Sequence, residues 1–262
     1  MKLRRRIQKA RGVYLLPNLL TTLNLLAGFY SLVSVLEWRF TQAAWAILLA
    51  LVFDNLDGRI ARFTRSTSRF GAEYDSLADL VSFGIAPGIL IYMWALQAFG
   101  KVGWLAAVLY VATAALRLAR FNVQVIEGGR FNGLPSPAAG GLIASTVLFY
   151  NYVGIGDVGR SVMILSLTFF LALVMVSNLK YHGFKEADLF KRRPFHTLFI
   201  AVLILILVAA EPIILLFTMF YVYLISGIAE TAINLAMRLV TRRVSKTAPD
   251  LTAPPKGGQA GK

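Results

Sequence analysis

Asp54, Asp57, Asp75 and Asp79 sit in or beside apolar stretches long enough to cross a bilayer, at spacings that make them converge. A carboxylate at membrane depth costs about 3 kcal/mol on insertion scales, so four together require a compensating partner. On a helix, Asp54, Asp57, Gly58, Ala61 and Arg62 follow the i, i+3, i+4, i+7, i+8 pattern and share one face. Gly71, Asp75 and Asp79 step by four and share another. Two such faces packed together build a pocket of carboxylate oxygens closed by small residues, which predicts a divalent-cation site. All-oxygen donors suit a hard ion, Mg²⁺ or Mn²⁺. Two such ions side by side could clamp the attacking and leaving oxygens of a phosphoryl transfer.

The elements that must position these groups are membrane helices. Hydrophobic residues make up 57% of 262, and the mean hydropathy is +0.65, far above a soluble globular chain. Apolar runs at 15–37, 41–63, 72–97, 102–124, 136–154, 160–179, 196–210 and 212–238 predict an all-α integral membrane protein with eight transmembrane helices. They form one membrane-embedded domain over 15–244. Residues 1–14 read as a basic amphipathic helix on the membrane surface, with Pro17-Asn18 opening the first span. The Pro-, Gly- and Lys-rich stretch 245–262 reads as a disordered cytoplasmic tail. The first apolar run lacks a small-residue cleavage site and reads as a retained helix. Cysteine is absent, so thiolate metal sites and disulfides are excluded.

The net charge of +14 does not point to nucleic acid. All Lys and Arg except Arg39, Lys101 and Arg160 fall in alternate connections or at the two ends. The positive-inside rule then places both termini and the aspartates on the cytoplasmic side of the cell membrane. A basic face there suits anionic lipid head groups and a phosphate-bearing substrate.

The pattern D-x2-D-G-x2-A-R-x8-G-x3-D-x3-D is met at Asp54, Asp57, Gly58, Ala61, Arg62, Gly71, Asp75 and Asp79. It resembles the signature of the CDP-alcohol phosphotransferase family, over roughly residues 15–180. The resemblance implies a six-helix core around a cytoplasm-facing site, a homodimer, and a reaction in which an alcohol displaces CMP from a CDP-linked lipid. It implies Asp54, Asp57 and Asp75 as ligands to two divalent cations. Asp79 also reaches a metal and takes the proton from the acceptor hydroxyl. Gly58 lets the nucleotide approach the backbone, Arg62 pairs with a phosphate oxygen, and Asn18, Thr21 and Ser68 contact the CDP moiety. Three further segments, SLADLVSFGIAPG at 76–88, LRLARFN at 116–122 and FNGLPSPAAG at 131–140, resemble the membrane-embedded phosphatidylserine synthases. That resemblance implies CDP-diacylglycerol and L-serine as substrates, and phosphatidylserine and CMP as products. Serine's carboxylate then needs a cation: Arg117 or Arg120, with Arg120 followed by Asn122 the first choice.

Simpler roles compete for several of these residues. The aspartates could neutralise Arg59, Arg62, Arg65 and Arg69, although eight matched positions weigh against a plain ion-pair network. Arg117 and Arg120 could equally be interfacial anchors that snorkel. Pro135-Ser136-Pro137 most often just starts a helix. His182 and His196 lack the H-x-K arrangement of the phosphohistidine route to phosphatidylserine. Among functions, a cation transporter would distribute its acids across the membrane, whereas these cluster at one end of two adjacent spans. A different acceptor, such as glycerol 3-phosphate or an inositol phosphate, would require more cations than the sequence offers outside the signature.

Overall fold

The computed structural model describes residues 2–64, 68–123, 131–155, 161–177, 180–181 and 210–247. They form helices α1 (Lys2–Leu36), α2 (Phe40–Phe63), α3 (Arg69–Phe99), α4 (Lys101–Val123), α5 (Ser136–Val153), α6 (Val162–Val176) and α7 (Pro212–Thr247). Among the described residues, four stretches are long and apolar enough to cross a membrane: Leu16–Leu36, Arg69–Phe99, Lys101–Asn122 and Pro212–Thr231. Val162–Val176 is a shorter apolar helix. The expected span at 196–210 lies almost wholly outside the described residues, as do His182, His196 and the tail from 248.

Two helices fall short of that group for opposite reasons. α2 carries Asp54, Asp57, Arg59 and Arg62 in its C-terminal half. α5 is short and rich in small residues, and it is buried along nearly all of its first three turns. It lies against α2, the middle of α3 and α7, where Gly140 comes close to Phe83 and Gly141 faces the Phe220 ring. Small residues let membrane helices approach closely, because lipid supplies no hydrophobic drive for their association. Large apolar side chains point outward instead, among them Leu19, Phe29, Leu49, Leu105, Leu173 and Val222. Such a surface matches hydrocarbon rather than water.

Pro17 lies inside α1, which runs unbroken through it. The helix thus continues from the basic N-terminal stretch into the first span. An internal proline is tolerated in membrane helices where nearby side chains take up the freed backbone groups.

The third helix departs from α geometry in the segment that matters most. Arg69–Asp79 is α-helical, Leu80–Ile85 is π-helical, Ala86–Ile91 is α-helical and Tyr92–Leu96 is again π-helical. π turns occur mostly as single turns inside α-helices, frequently at functional sites. Here Tyr110 on α4 donates to the Phe83 carbonyl at 3.0 Å, and Ser82 Oγ donates to the Asn24 carbonyl of α1 at 2.9 Å. Gly28 makes that approach possible, since a Cβ on it would lie 2.8 Å from Ser82 Cα.

The fold has one feature that an all-helical reading omits. Phe131–Asn132 pairs antiparallel with Lys180–Tyr181 in a two-residue bridge, so the segments just before α5 and just after α6 are tied together. Gly133 follows at φ +85, and a side chain there would collide with the Met175 carbonyl. Only glycine meets both conditions at no steric cost.

Candidate active site

The C-terminal half of α2 and the first turns of α3 bring the aspartates together at one end of the bundle. Asp54, Asp57 and Asp75 each offer a carboxylate oxygen within 4.8 Å of the others. Asp79 lies one turn beyond Asp75, is buried, and stands outside that trio. Its Oδ1 accepts a 3.0 Å hydrogen bond from Asn24 Nδ2. Asp57 Oδ2 accepts from Thr21 Oγ1 at 2.9 Å. Asp75 Oδ1 is buried with no hydrogen-bond partner.

Three carboxylates at this separation repel one another, and an orphaned buried acceptor costs about 1–3 kcal/mol. A hard divalent cation removes both penalties, because its preferred donors are carboxylate oxygens. The donor set therefore fits Mg²⁺ or Mn²⁺, with Asp54, Asp57 and Asp75 as the residues that could hold it.

Beside the trio opens a cavity of about 230 Å³. Asn18, Thr21, Gly58, Arg62 and Ser68 all line it, together with Asp57 and Asp75, so the five residues expected to contact a nucleotide share one space. Each is placed by a local cause. Ser68 caps α3, its Oγ accepting from Gly71 N at 2.9 Å, which satisfies one of the helix's orphan donors. Gly71 leaves little room for a side chain, since a Cβ would be 3.1 Å from Ser68 Oγ and 3.3 Å from Asn18 Oδ1. Gly58 is the opposite case: a Cβ there would meet nothing closer than Arg62 Nη2 at 3.9 Å. The protein's own packing does not require glycine at 58, so the space above it is available to a ligand.

Two of the three acceptor-site candidates are fixed by hydrogen bonds to different neighbours. Arg117 Nη1 donates to Ser136 Oγ at 2.8 Å, its Nε is buried without a partner, and its guanidinium lies within electrostatic reach of Asp79, Tyr223 and Asp54. Asn122 is turned to other work: its Oδ1 accepts from Ser76 Oγ at 3.1 Å, and its Nδ2 donates to Glu73 at 3.3 Å. Arg120, three residues after Arg117, is half-buried. The structure thus brings Arg117, and not Asn122, to the carboxylates.

Asn24 lies outside every motif of the sequence, and Ser136 reads there as a helix start within the segment that resembles the serine synthases. Asn24 did leave a signal. It falls on the stripe Pro17, Thr21, Asn24, Gly28 and Ser31 of α1, all buried, and an amide inside an apolar span has to be satisfied by something.

Comparison with known proteins agrees with this geometry. Residues 14–176 match the family model described as CDP-alcohol phosphatidyltransferase. The chain is 37% identical over 219 residues to the CDP-diacylglycerol–serine O-phosphatidyltransferase of Helicobacter pylori, covering 82% of this chain and 90% of that one. It is 36% identical over 178 residues to the archaetidylserine synthase of Methanothermobacter thermautotrophicus, covering 66% and 72%. A CDP-diacylglycerol–serine O-phosphatidyltransferase of Mycobacterium leprae is 39% identical over 160 residues, 57% of this chain and 53% of the relative.

Proposed function

The chain belongs to the CDP-alcohol phosphatidyltransferase family, and from that premise we propose that it transfers the phosphatidyl group of CDP-diacylglycerol to L-serine, giving phosphatidylserine and CMP. The observation that carries the proposal is the meeting of three carboxylates from two helices, two of which, Asp57 and Asp75, line a cavity with Asn18, Gly58, Arg62 and Ser68. A one-ended acidic cluster suits an enzyme that draws a soluble alcohol from the aqueous side and a lipid from the bilayer. It does not suit a transporter, which needs polar groups across the whole membrane thickness.

The divalent cation, when bound, supplies positive charge to a diphosphate whose own charge repels an incoming nucleophile. The remaining tasks fall to side chains. Asp54, Asp57 and Asp75 hold the cation or cations, and Thr21 orients Asp57. Arg62 pairs with a phosphate oxygen, Gly58 leaves room for the nucleotide, and Asn18 and Ser68 flank it. Asp79 takes the proton from the serine hydroxyl as that oxygen forms a bond to the lipid-bearing phosphorus. The bond from this phosphorus to the bridging oxygen breaks in the same displacement, and CMP leaves with the electron pair. Arg117 faces the serine carboxylate; Arg120 is the second candidate for that contact.

Eight spans with a six-helix core, both termini and the site on the cytoplasmic side of the cell membrane, and a homodimeric assembly belong to the same proposal. In its support, α5 at 18 residues is about 27 Å long at 1.5 Å per residue, close to the hydrocarbon thickness of about 30 Å. It therefore reaches across despite its small-residue composition.

The test is CMP release by purified protein supplied with CDP-diacylglycerol and Mn²⁺. Addition of serine should start release and yield phosphatidylserine. Release with glycerol 3-phosphate and none with serine would overturn the acceptor assignment.

A further inference from the structure

Asn24 is the group that the reaction scheme leaves unused, and it is the most tightly placed side chain near Asp79. It is fully buried in α1. Its Nδ2 donates to Asp79 Oδ1 at 3.0 Å, and its main-chain carbonyl accepts from Ser82 Oγ at 2.9 Å. These contacts fix the amide's orientation, because a flip would set its carbonyl oxygen against a carboxylate oxygen. Asn24 Oδ1 is left buried with no partner. Arg117 Nε is the complementary case: a buried donor without an acceptor, on a side chain within electrostatic reach of Asp79. Among the described residues, an orphaned acceptor on the residue bonded to Asp79 and an orphaned donor on a guanidinium that feels its charge are what a small zwitterion would satisfy. Its ammonium needs an acceptor and its carboxylate needs a cationic donor.

We propose that Asn24 is a specificity-determining residue: Nδ2 holds Asp79, while Oδ1 accepts a hydrogen bond from the ammonium group of the incoming amino alcohol. The inference rests on the serine-transfer function proposed above and adds the residue that reads serine's nitrogen. It explains why an amide stands where a leucine could pack: the amide offers a donor to the carboxylate and, on a separate atom, an acceptor to the substrate. Discrimination follows from leaving buried polar groups unpaired. An acceptor alcohol without an ammonium leaves Oδ1 orphaned, and sites of this kind reject such analogues strongly.

The experiment uses the full chain with CDP-diacylglycerol and Mn²⁺, and compares L-serine with 3-hydroxypropionate, which has the hydroxyl and carboxylate but no ammonium. Wild type should favour serine in kcat/KM by at least 100-fold. Asn24→Leu and Asn24→Ser should each lower that preference at least tenfold, chiefly through a raised KM for serine. L-alanine, which has the ammonium and carboxylate but no hydroxyl, should inhibit wild-type turnover at least tenfold more strongly than it inhibits either variant. Equal losses of kcat with both acceptors, at an unchanged preference, would show that Asn24 only holds Asp79 and would overturn the proposal. Should the leucine variant fail to fold, the smaller serine variant carries the comparison. Wild type alone can also refute it, by using 3-hydroxypropionate as well as serine. No CMP release from wild type with either acceptor would defeat the transferase function itself.

Discussion

Thr21 on α1 and Asp57 on α2 are joined by a 2.9 Å hydrogen bond, with Thr21 Oγ1 donating to Asp57 Oδ2. A residue that precedes the acidic motif by a whole helix therefore sets the direction of one of its carboxylates. The same hydroxyl lies 3.1 Å from the Pro17 carbonyl, and the ionised acceptor is the stronger of the two.

Removing that hydroxyl should weaken the cation site without dismantling it. A hydrogen bond to a charged group contributes about 1.5–3 kcal/mol, so Thr21→Val should raise the Mn²⁺ concentration for half-maximal CMP release by about tenfold or more. Thr21→Ser should stay near wild type. A metal titration of both variants checks this, and an unchanged requirement in the valine variant would remove Thr21 from the site.

The four aspartates should divide by role. Asp54→Asn, Asp57→Asn and Asp75→Asn should each abolish the rise in thermal stability that Mn²⁺ gives the purified protein, along with turnover. Asp79→Asn should keep most of the metal-dependent rise and lose at least 100-fold in kcat, in the range expected for a general base. Thermal unfolding with and without Mn²⁺, beside initial rates, separates the two outcomes. Near-normal turnover in Asp79→Asn would end its assignment as base.

Removal of the cation should act on the site more than on the bundle. Treatment with a chelator should stop CMP release and lower the unfolding temperature while leaving helical content by circular dichroism unchanged, because the small-residue contacts that pack the helices do not pass through the carboxylates. Restored activity on adding back Mg²⁺ or Mn²⁺ completes the check. Persistent turnover in chelator would contradict the role given to Asp54, Asp57 and Asp75.

Two glycines should respond oppositely to one added methyl group. At Gly28 a Cβ would lie 2.8 Å from Ser82 Cα, and overpacking of this kind costs about 1–3 kcal/mol. Gly28→Ala should therefore lower both thermal stability and activity. At Gly58 a Cβ has free space, so Gly58→Ala should unfold like wild type and show a several-fold higher KM for CDP-diacylglycerol. Equal stability losses in the two variants would mean that Gly58 is a packing residue.

How much of this could be read from the chain alone depended on whether the relevant contact was local. Asp54 and Asp57 share a face because they lie three apart on one helix. Ser136, beside two prolines, opens α5 where the sequence places a helix start. The pairing of Asn24 with Asp79 joins residues 55 apart, and no spacing rule specifies which side chain of α1 meets which acid of α3. Arg117 and Arg120 also share a helical face, so periodicity could not choose between them. Position along the helix does separate Arg117 from Asn122, which one more turn toward the helix end takes to Glu73 and Ser76. The π turns were illegible for a related reason: Leu80–Ile85 meets Asn24 and Gly28 of α1 and Tyr110 of α4, all arriving from other helices.

That wider turn makes the third helix a spacer of adjustable phase. Each residue of an ordinary helix advances about 100° around its axis, from 3.6 residues per turn. The extra residue held in Leu80–Ile85 therefore sets the angular offset between Asp79 upstream and Pro87 and Gly88 downstream. Shortening the loop of chain there by one residue would let the helix relax to regular winding, yet rotate the acidic end against the end packed on α4 and α5. Chemistry and packing are thus coupled through a single backbone irregularity, and a change on either side must be matched by the other.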